Sequence, residues 1–235
     1  MTIERWESSR DALLGVTEKL LRLMKRRCDN GNFHLALSGG ETAKRMFSLW
    51  VKGYRERIDW SKIHFYWVDE RCVPPTDPES NYGEAKRLLF DPLQIPEQQI
   101  HRIRGEEEPG VEARRYAAVV KELLPRYEGL PAFDAIILGV GTDFHTASIF
   151  PHTMELLHEE RYYAVSTHPS GQLRVTMTGP LLLNHVPLLV PLLGSEKQEL
   201  LRGLERGYSR DNATPASYIL SLADKAMLFA ATTDE

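Results

Sequence analysis

The sequence predicts an α/β protein built on a largely parallel sheet flanked by helices. Three observations carry this. Short apolar, β-branched or aromatic runs recur at residues 33–37, 63–68, 133–138 and 188–193. Segments with helical periodicity lie between most of them, and strands alternating with helices imply parallel pairing. Each of the four runs also ends in a loop rich in glycine or charge, starting at Ser38, Asp69, Gly139 and Gly194. Parallel strands would bring all four loops to one edge, where open α/β sheets bind ligands.

Taken in order, residues from about 5 to 27 place Trp6, Leu13, Leu14, Leu20, Leu21, Leu23 and Met24 among charges, a helix with one buried stripe. Asp29, Asn30 and Gly31 stop it. A strand at 33–37 runs into Ser38-Gly39-Gly40-Glu41-Thr42, and residues 43–51 resume a helix. Strand, Ser-Gly-Gly and helix start present backbone N–H groups to an anion; a tight strand–helix turn is the plainer alternative. The GxxxxGK[ST] pattern is absent.

The strand at 63–68 ends in Asp69, Glu70 and Arg71. Three charges at a strand's end are costly to bury unpaired, so they face a cleft or each other, with an Asp69–Arg71 ion pair as the structural alternative. Prolines 74, 75 and 78 stiffen the following loop. Ser80 or Asn81 caps a helix to Phe90. Residues 91–109 form a polar connection with a short strand near 100–103. Glu106 to Pro109 open a helix over about 111–127. After the strand at 133–138 come a helix at 153–160 and strands at 161–167 and 173–178. A short helix runs from Gly179 and Pro180 to Asn184. The longest apolar stretch, 186–193, holds two prolines and reads as a buried strand. A helix from Gly194 to Arg206, a short helix at 217–222 and a strand at 226–231 complete the chain. No repeat or linker divides it, so residues 1–235 read as one domain.

Hydrophobic residues make up 42% and charged residues 26% of the 235, enough for a sizeable soluble core. The net charge of −4 gives no basic field for nucleic acid, so a phosphorylated ligand would need a local basic pocket. Cys28 and Cys72 form no disulfide framework or metal-ligand cluster and fit a reducing compartment. No signal-peptide core and no apolar run of about 18 residues is present, so a cytoplasmic protein without a membrane span is expected.

The densest chemistry lies at residues 139–148. Asp143 and His145 stand one residue apart in a glycine-led loop. An imidazole titrates near neutrality, and a neighbouring carboxylate orients it and stabilises its cation. A helix-capping Asp beside a solvated His is the alternative.

Taken together, Leu-Ser-Gly-Gly-Glu-Thr42, Val-Asp-Glu-Arg-Cys-Val-Pro-Pro-Thr-Asp-Pro-Glu-Ser-Asn81, Gly-Val-Gly-Thr-Asp-Phe-His-Thr-Ala-Ser-Ile-Phe-Pro151, Arg-Val-Thr-Met-Thr178 and Leu-Gly-Ser-Glu-Lys197 resemble the 6-phosphogluconolactonase family. That family sits in the wider group with the glucosamine-6-phosphate isomerases. The resemblance spans about Leu35 to Lys197, and the Thr-Ala-Ser-Ile-Phe-Pro tail favours the lactonase branch. It implies a three-layer, Rossmann-like fold. It also implies metal-free, cofactor-free hydrolysis of 6-phospho-D-glucono-1,5-lactone to 6-phosphogluconate in the oxidative pentose phosphate pathway. His145 would be the acid–base and Asp143 its orienting carboxylate. Ser38, Gly39, Gly40 and Thr42 would cradle the phosphate with Arg174 and Lys197, while Asp69 would hold Arg71 or a sugar hydroxyl. Arg71 or glycine-loop N–H groups would receive the oxyanion. The partner is a small phosphorylated sugar lactone, with no nucleic acid and no membrane, and the oligomeric state stays open between a monomer and a small homo-oligomer.

Two positions depart from the family pattern. Phe144 replaces a glycine between Asp143 and His145. A positive φ there would cost about 1 kcal/mol, and the ring would narrow the pocket. Ala43 replaces a helix-starting proline. The alternatives are a sugar-phosphate isomerase or deaminase and a non-catalytic sugar-phosphate-binding protein, the latter favoured by Phe144. The spacing of Asp143, His145 and His152 admits a metal, against the metal-free site that the resemblance implies. Ser148 lacks the G-x-S-x-G setting of a nucleophile.

Overall fold

The computed structural model describes residues 1–27, 31–207 and 213–233. Cys28 and the Asp29–Asn30 helix stop lie outside the described residues.

The main layer is a six-stranded, all-parallel sheet. Its strands are β1 (Thr2–Trp6), β2 (Phe33–Leu37), β3 (Ile63–Trp67), β7 (Ala135–Ile137), β10 (Leu188–Leu193) and β11 (Ala226–Ala231), ordered β1-β11-β10-β7-β2-β3. Every residue of β7 and β10 is buried. Strands buried on both faces need cover on both sides, and they read as continuous rather than alternating apolar runs. Helix α1 (Ser9–Arg27) supplies part of that cover by packing on β10 and β11.

A second sheet is antiparallel, β4 (Asp69–Arg71), β9 (Leu173–Met177) and β8 (Tyr163–Thr167), with α5 (Pro109–Leu123) packed on β8 and β9. The remaining helices are α2 (Glu41–Gly53), α3 (Asn81–Ala85), α4 (Asp91–Leu93), α6 (Gly179–Leu182), α7 (Gln198–Arg206) and α8 (Pro215–Leu222). A π-helical turn, Lys86–Phe90, joins α3 to α4.

Five local expectations are corrected. The helix expected from residue 5 starts at Ser9, where the Ser8 hydroxyl accepts the Asp11 N–H at 3.1 Å. Ahead of it, β1 pairs with β11, with Ile3 and Trp6 partly buried and Glu4 and Arg5 exposed. Charged residues guard a sheet edge, so local sequence hid this strand. Residues 100–103 form only an isolated bridge, Ile100 to Phe65. Helix α5 ends at Leu123, and Arg126–Tyr127 turn back against Leu130–Pro131 as the hairpin β5–β6. The helix expected at 153–160 shrinks to one 3₁₀ turn, Met154–Leu157. Finally, β8 and β9 leave the parallel sheet to pair with β4, a strand of three charged residues that only its partner makes a strand.

Candidate active site

Strands β10, β7, β2 and β3 are consecutive neighbours. The four loops that follow them therefore meet at one carboxyl edge, as parallel pairing requires. They surround a hollow of about 380 Å³. Ser38, Gly39, Gly40, Thr42, Asp69, Arg71, His145, Arg174 and Lys197 line it, and Asp143 stands behind His145.

The hollow opens where β7 ends. Register pairs Leu189 with Ile137, the last residue of β7. The N–H groups of Leu188 and Gly194 point to the β11 side. By alternation Pro191 faces the β7 side, beyond that strand's end. A proline thus sits inside a buried strand without breaking a ladder bond, and it lines the hollow.

Gly40 caps α2 with φ 86° and ψ −175°, a conformation that favours glycine. No side chain caps this helix, and the first N–H to bond back is that of Lys44, at 3.1 Å to the Gly40 carbonyl. The first-turn donors and the positive end of the helix dipole are thereby offered to an anion. A Cβ on Gly39 would lie 1.8 Å from Asn81 Oδ1, so glycine there is demanded by close packing of the β4–α3 connection. The Ser38 hydroxyl accepts the Gly139 N–H at 3.0 Å and ties the two glycine loops together.

In the third loop, His145 Nδ1 lies 2.5 Å from Asp143 Oδ1, and the same oxygen accepts the His145 N–H at 3.2 Å. Burial pushes the Asp143 carboxyl up, but these two hydrogen bonds outweigh it and hold it below the usual range. The carboxylate therefore accepts, Nδ1–H donates, and Nε2 is left as the basic atom. A Cβ on Gly141 would fall 2.2 Å from the imidazole, so only glycine lets the ring lie there. Its other side rests on the buried Phe150 ring, centroids 4.7 Å apart.

The antiparallel sheet forms the opposite wall. Arg71 and Arg174 face each other in register across β4 and β9. Asp69 does not pair with Arg71. Its Oδ2 accepts the Ser148 hydroxyl at 2.6 Å and lies 3.9 Å from Arg174, while an Arg71 Nη1–H donates to the Glu79 carbonyl. Two like-charged arginines in register are held apart by separate anchors, one on a carbonyl and one beside a carboxylate. Glu70 accepts the N–H groups of Arg71, Asn81 and Tyr82 at 2.7–2.8 Å. Burial and the neighbouring Asp69 push its carboxyl up to about 7 against those donors. This pins the start of α3 beneath the wall. Lys197 is buried and its ammonium is pulled below its usual value by that burial, against the opposing charges of Glu196 and Asp143.

Of the polar side chains that line the hollow, sequence reasoning gave no site role to Asn81 and His168. Asn81 was legible only as a helix cap, a role that Ser80 fills. His168 lies in a turn with no motif around it. Ser148 is wholly buried, with its hydroxyl given to Asp69. The His152 ring turns to the Thr167 carbonyl at 3.0 Å, away from the Asp143–His145 pair. Phe144 has a positive φ, 59°, the conformation in which a side chain is strained, but its ring is outside the lining and does not narrow the hollow. Its carbonyl accepts the Ala216 N–H of the first turn of α8 at 3.0 Å, so the conformation anchors the Asp143–His145 loop to that helix.

A family model described as glucosamine-6-phosphate isomerases/6-phosphogluconolactonase matches residues 7–228. The chain is 45% identical over 168 residues to the 6-phosphogluconolactonase of Treponema pallidum, covering 71% of this chain and 70% of that one. It is 41% identical over 192 residues to the 6-phosphogluconolactonase of Haemophilus influenzae, covering 81% of each. A crystal structure of a devB protein superposes with a TM-score of 0.85 at 35% identity, over 99% of this chain and 97% of that one. The 6-phosphogluconolactonase of Trypanosoma cruzi does so with a TM-score of 0.85 at 25% identity, over 98% and 94%.

Proposed function

The chain belongs to the family of glucosamine-6-phosphate isomerases and 6-phosphogluconolactonases, and from that premise we propose that it hydrolyses 6-phospho-D-glucono-1,5-lactone to 6-phospho-D-gluconate, in the oxidative pentose phosphate pathway. The observation that carries the reading is the hollow itself. One basic imidazole nitrogen, backed by a carboxylate, shares it with an uncapped helix N-terminus and three cations.

The substrate's phosphate is held at Gly39, Gly40 and Thr42 by helix-terminal N–H groups, with Arg174 and Lys197 supplying charge. His145 Nε2 takes a proton from water as the oxygen attacks C1, and Asp143 stabilises the imidazolium. The carbonyl electrons move onto oxygen, where the cations and loop donors offset the charge. On collapse the C1–ring-oxygen bond breaks, and Nε2–H returns its proton to that oxygen as it leaves as the C5 hydroxyl. Asp69, fixed by Ser148, has a second carboxylate oxygen with which to accept from a sugar hydroxyl. Every step uses the chain's own side chains and backbone N–H groups.

We read residues 1–235 as one domain with one such site, working in the cytoplasm on a small phosphosugar and without nucleic acid. Among the described residues no helix is long and apolar enough to cross a membrane. The non-catalytic alternative loses its support, because Phe144 stands clear of the hollow. An assay on freshly made lactone, read against its spontaneous opening, tests the function. Wild type is expected to exceed that background by orders of magnitude, with Phe144→Gly within about threefold of wild type. A wild-type rate equal to background sinks the reading.

A further inference from the structure

His168 is the second imidazole of the hollow. It sits in the β8–β9 turn, where Gly171 at φ 89° closes the chain and the Gly171 N–H bonds the His168 carbonyl at 2.8 Å. The ring is fixed by its own turn. Ser170 N–H donates to Nδ1 at 3.1 Å, and the Ser170 hydroxyl lies 2.7 Å from the same atom. A backbone N–H only donates, so Nδ1 is the acceptor and the neutral ring carries its proton on Nε2.

The ring stands edge-on to Phe150 at 5.2 Å and 85°. Phe150 also carries the His145 ring and, at 5.7 Å, the Arg174 guanidinium. One aromatic floor thus seats the proposed base, an arginine and a second imidazole. Burial and then the nearby charges of Arg174 and His145 lower the proton affinity of His168, which keeps it a neutral donor. On the same wall the Nε atoms of Arg71 and Arg174 are buried with no hydrogen-bond partner among the described residues. A wall whose guanidinium groups can only donate suits a ligand whose oxygens only accept, as phosphoryl oxygens do. A sugar hydroxyl, which also donates, is better matched to Asp69.

We propose that His168 binds the substrate's phosphate, its Nε2–H donating to a phosphoryl oxygen beside Arg174. The assignment rests on the lactonase reading. It adds a contact to that site which carries no charge of its own and is preset by Ser170.

The test combines steady-state kinetics on the lactone with calorimetric binding of 6-phosphogluconate. His168→Ala is expected to raise both KM and the product Kd about tenfold, the scale of one hydrogen bond to a charged group, with a smaller fall in kcat. His168→Gln, whose amide nitrogen reaches close to the Nε2 position, is expected to stay within about threefold of wild type. Hydrolysis of glucono-1,5-lactone, which lacks the phosphate, is expected to be equally slow in all three proteins. In 15N spectra the His168 ring should show the Nε2–H tautomer and shift when 6-phosphogluconate is added. Wild-type affinity in His168→Ala overturns the proposal, as does an equal loss toward the phosphate-free lactone. A wild-type protein that neither turns over nor binds the phosphosugars overturns the lactonase reading itself, and this proposal with it.

Discussion

Two histidine–aspartate pairs sit at opposite edges of the same parallel sheet. His145 Nδ1 meets Asp143 at 2.5 Å, and His185 Nδ1 meets Asp224 at 2.7 Å. The first follows β7; the second brackets the starts of β10 and β11. Each aspartate is held below its usual range by its histidine against some desolvation. The second pair is somewhat more exposed, 40% at His185 against 25% at His145, and lies beside the Tyr127 ring and near Asp224's neighbour Lys225, which itself lies over Tyr127. The first has Phe150 beneath it, Gly141 behind it and a hollow lined by Arg71, Arg174 and Lys197 in front. The contact between imidazole and carboxylate is common to both. What surrounds the free nitrogen separates a candidate base from a surface ion pair.

The sharpest way to break this contrast is to delete each imidazole. His145→Ala is expected to lower kcat about a thousandfold, within the range of general acid–base catalysis. His185→Ala should leave kcat/KM within about twofold of wild type. Equal losses in the two variants would mean that the hollow does not single out His145.

A smaller expected effect isolates the backing of the ring. Gly141→Ala places a Cβ where the imidazole lies and must displace it, so kcat should fall about a hundredfold through misplacement of the base. Product affinity and far-ultraviolet circular dichroism should be close to wild type. A variant with full kcat would show that the ring does not need its present seat.

The smallest effect concerns histidines whose rings pair with no carboxylate among the described residues. His34 hydrogen-bonds Tyr66, and His64 lies 2.9 Å from His101. Burial, followed by the other ring charges, pulls His34 and His101 down to about 4. Their folded-state affinity for protons is below the unfolded value of about 6.5. Their contribution to stability is therefore intact above that pH and is lost as pH falls from about 6.5 toward 4. Melting temperatures measured from pH 7.5 to 4.5 should drop by several degrees, and His101→Phe should flatten the slope. An unchanged slope in the variant would remove this cluster from the account of acid sensitivity.

The parts of the site that follow a strand were legible because their signal is local. An apolar run, then Gly39-Gly40 or Gly139-Val140-Gly141, marks a buried strand leaving the sheet toward a ligand. The Asp143–His145 spacing needs only one loop to bring its atoms together. The strands at Phe33–Leu37, Leu188–Leu193 and Ala226–Ala231 have their expected bounds for the same reason. His168 was not legible, because its neighbours in sequence say nothing of Phe150 or Arg174. Nor was Asp69–Arg71 as a strand: its residues disfavour one, and β9 supplies the ladder from about a hundred residues away.

By itself the sequence determined where the central buried strands run, that glycine or charge follows them, and which of those loops carry reactive groups. These depend on hydrophobic pattern and on backbone freedom within a few residues. Tertiary structure alone decided that β10 and β7 lie side by side, that Arg71 stands opposite Arg174, and that Phe150 seats three imidazoles, those of His145, His152 and His168. Such pairings join residues far apart along the chain. They are selected by packing and register across the whole core rather than by any local preference.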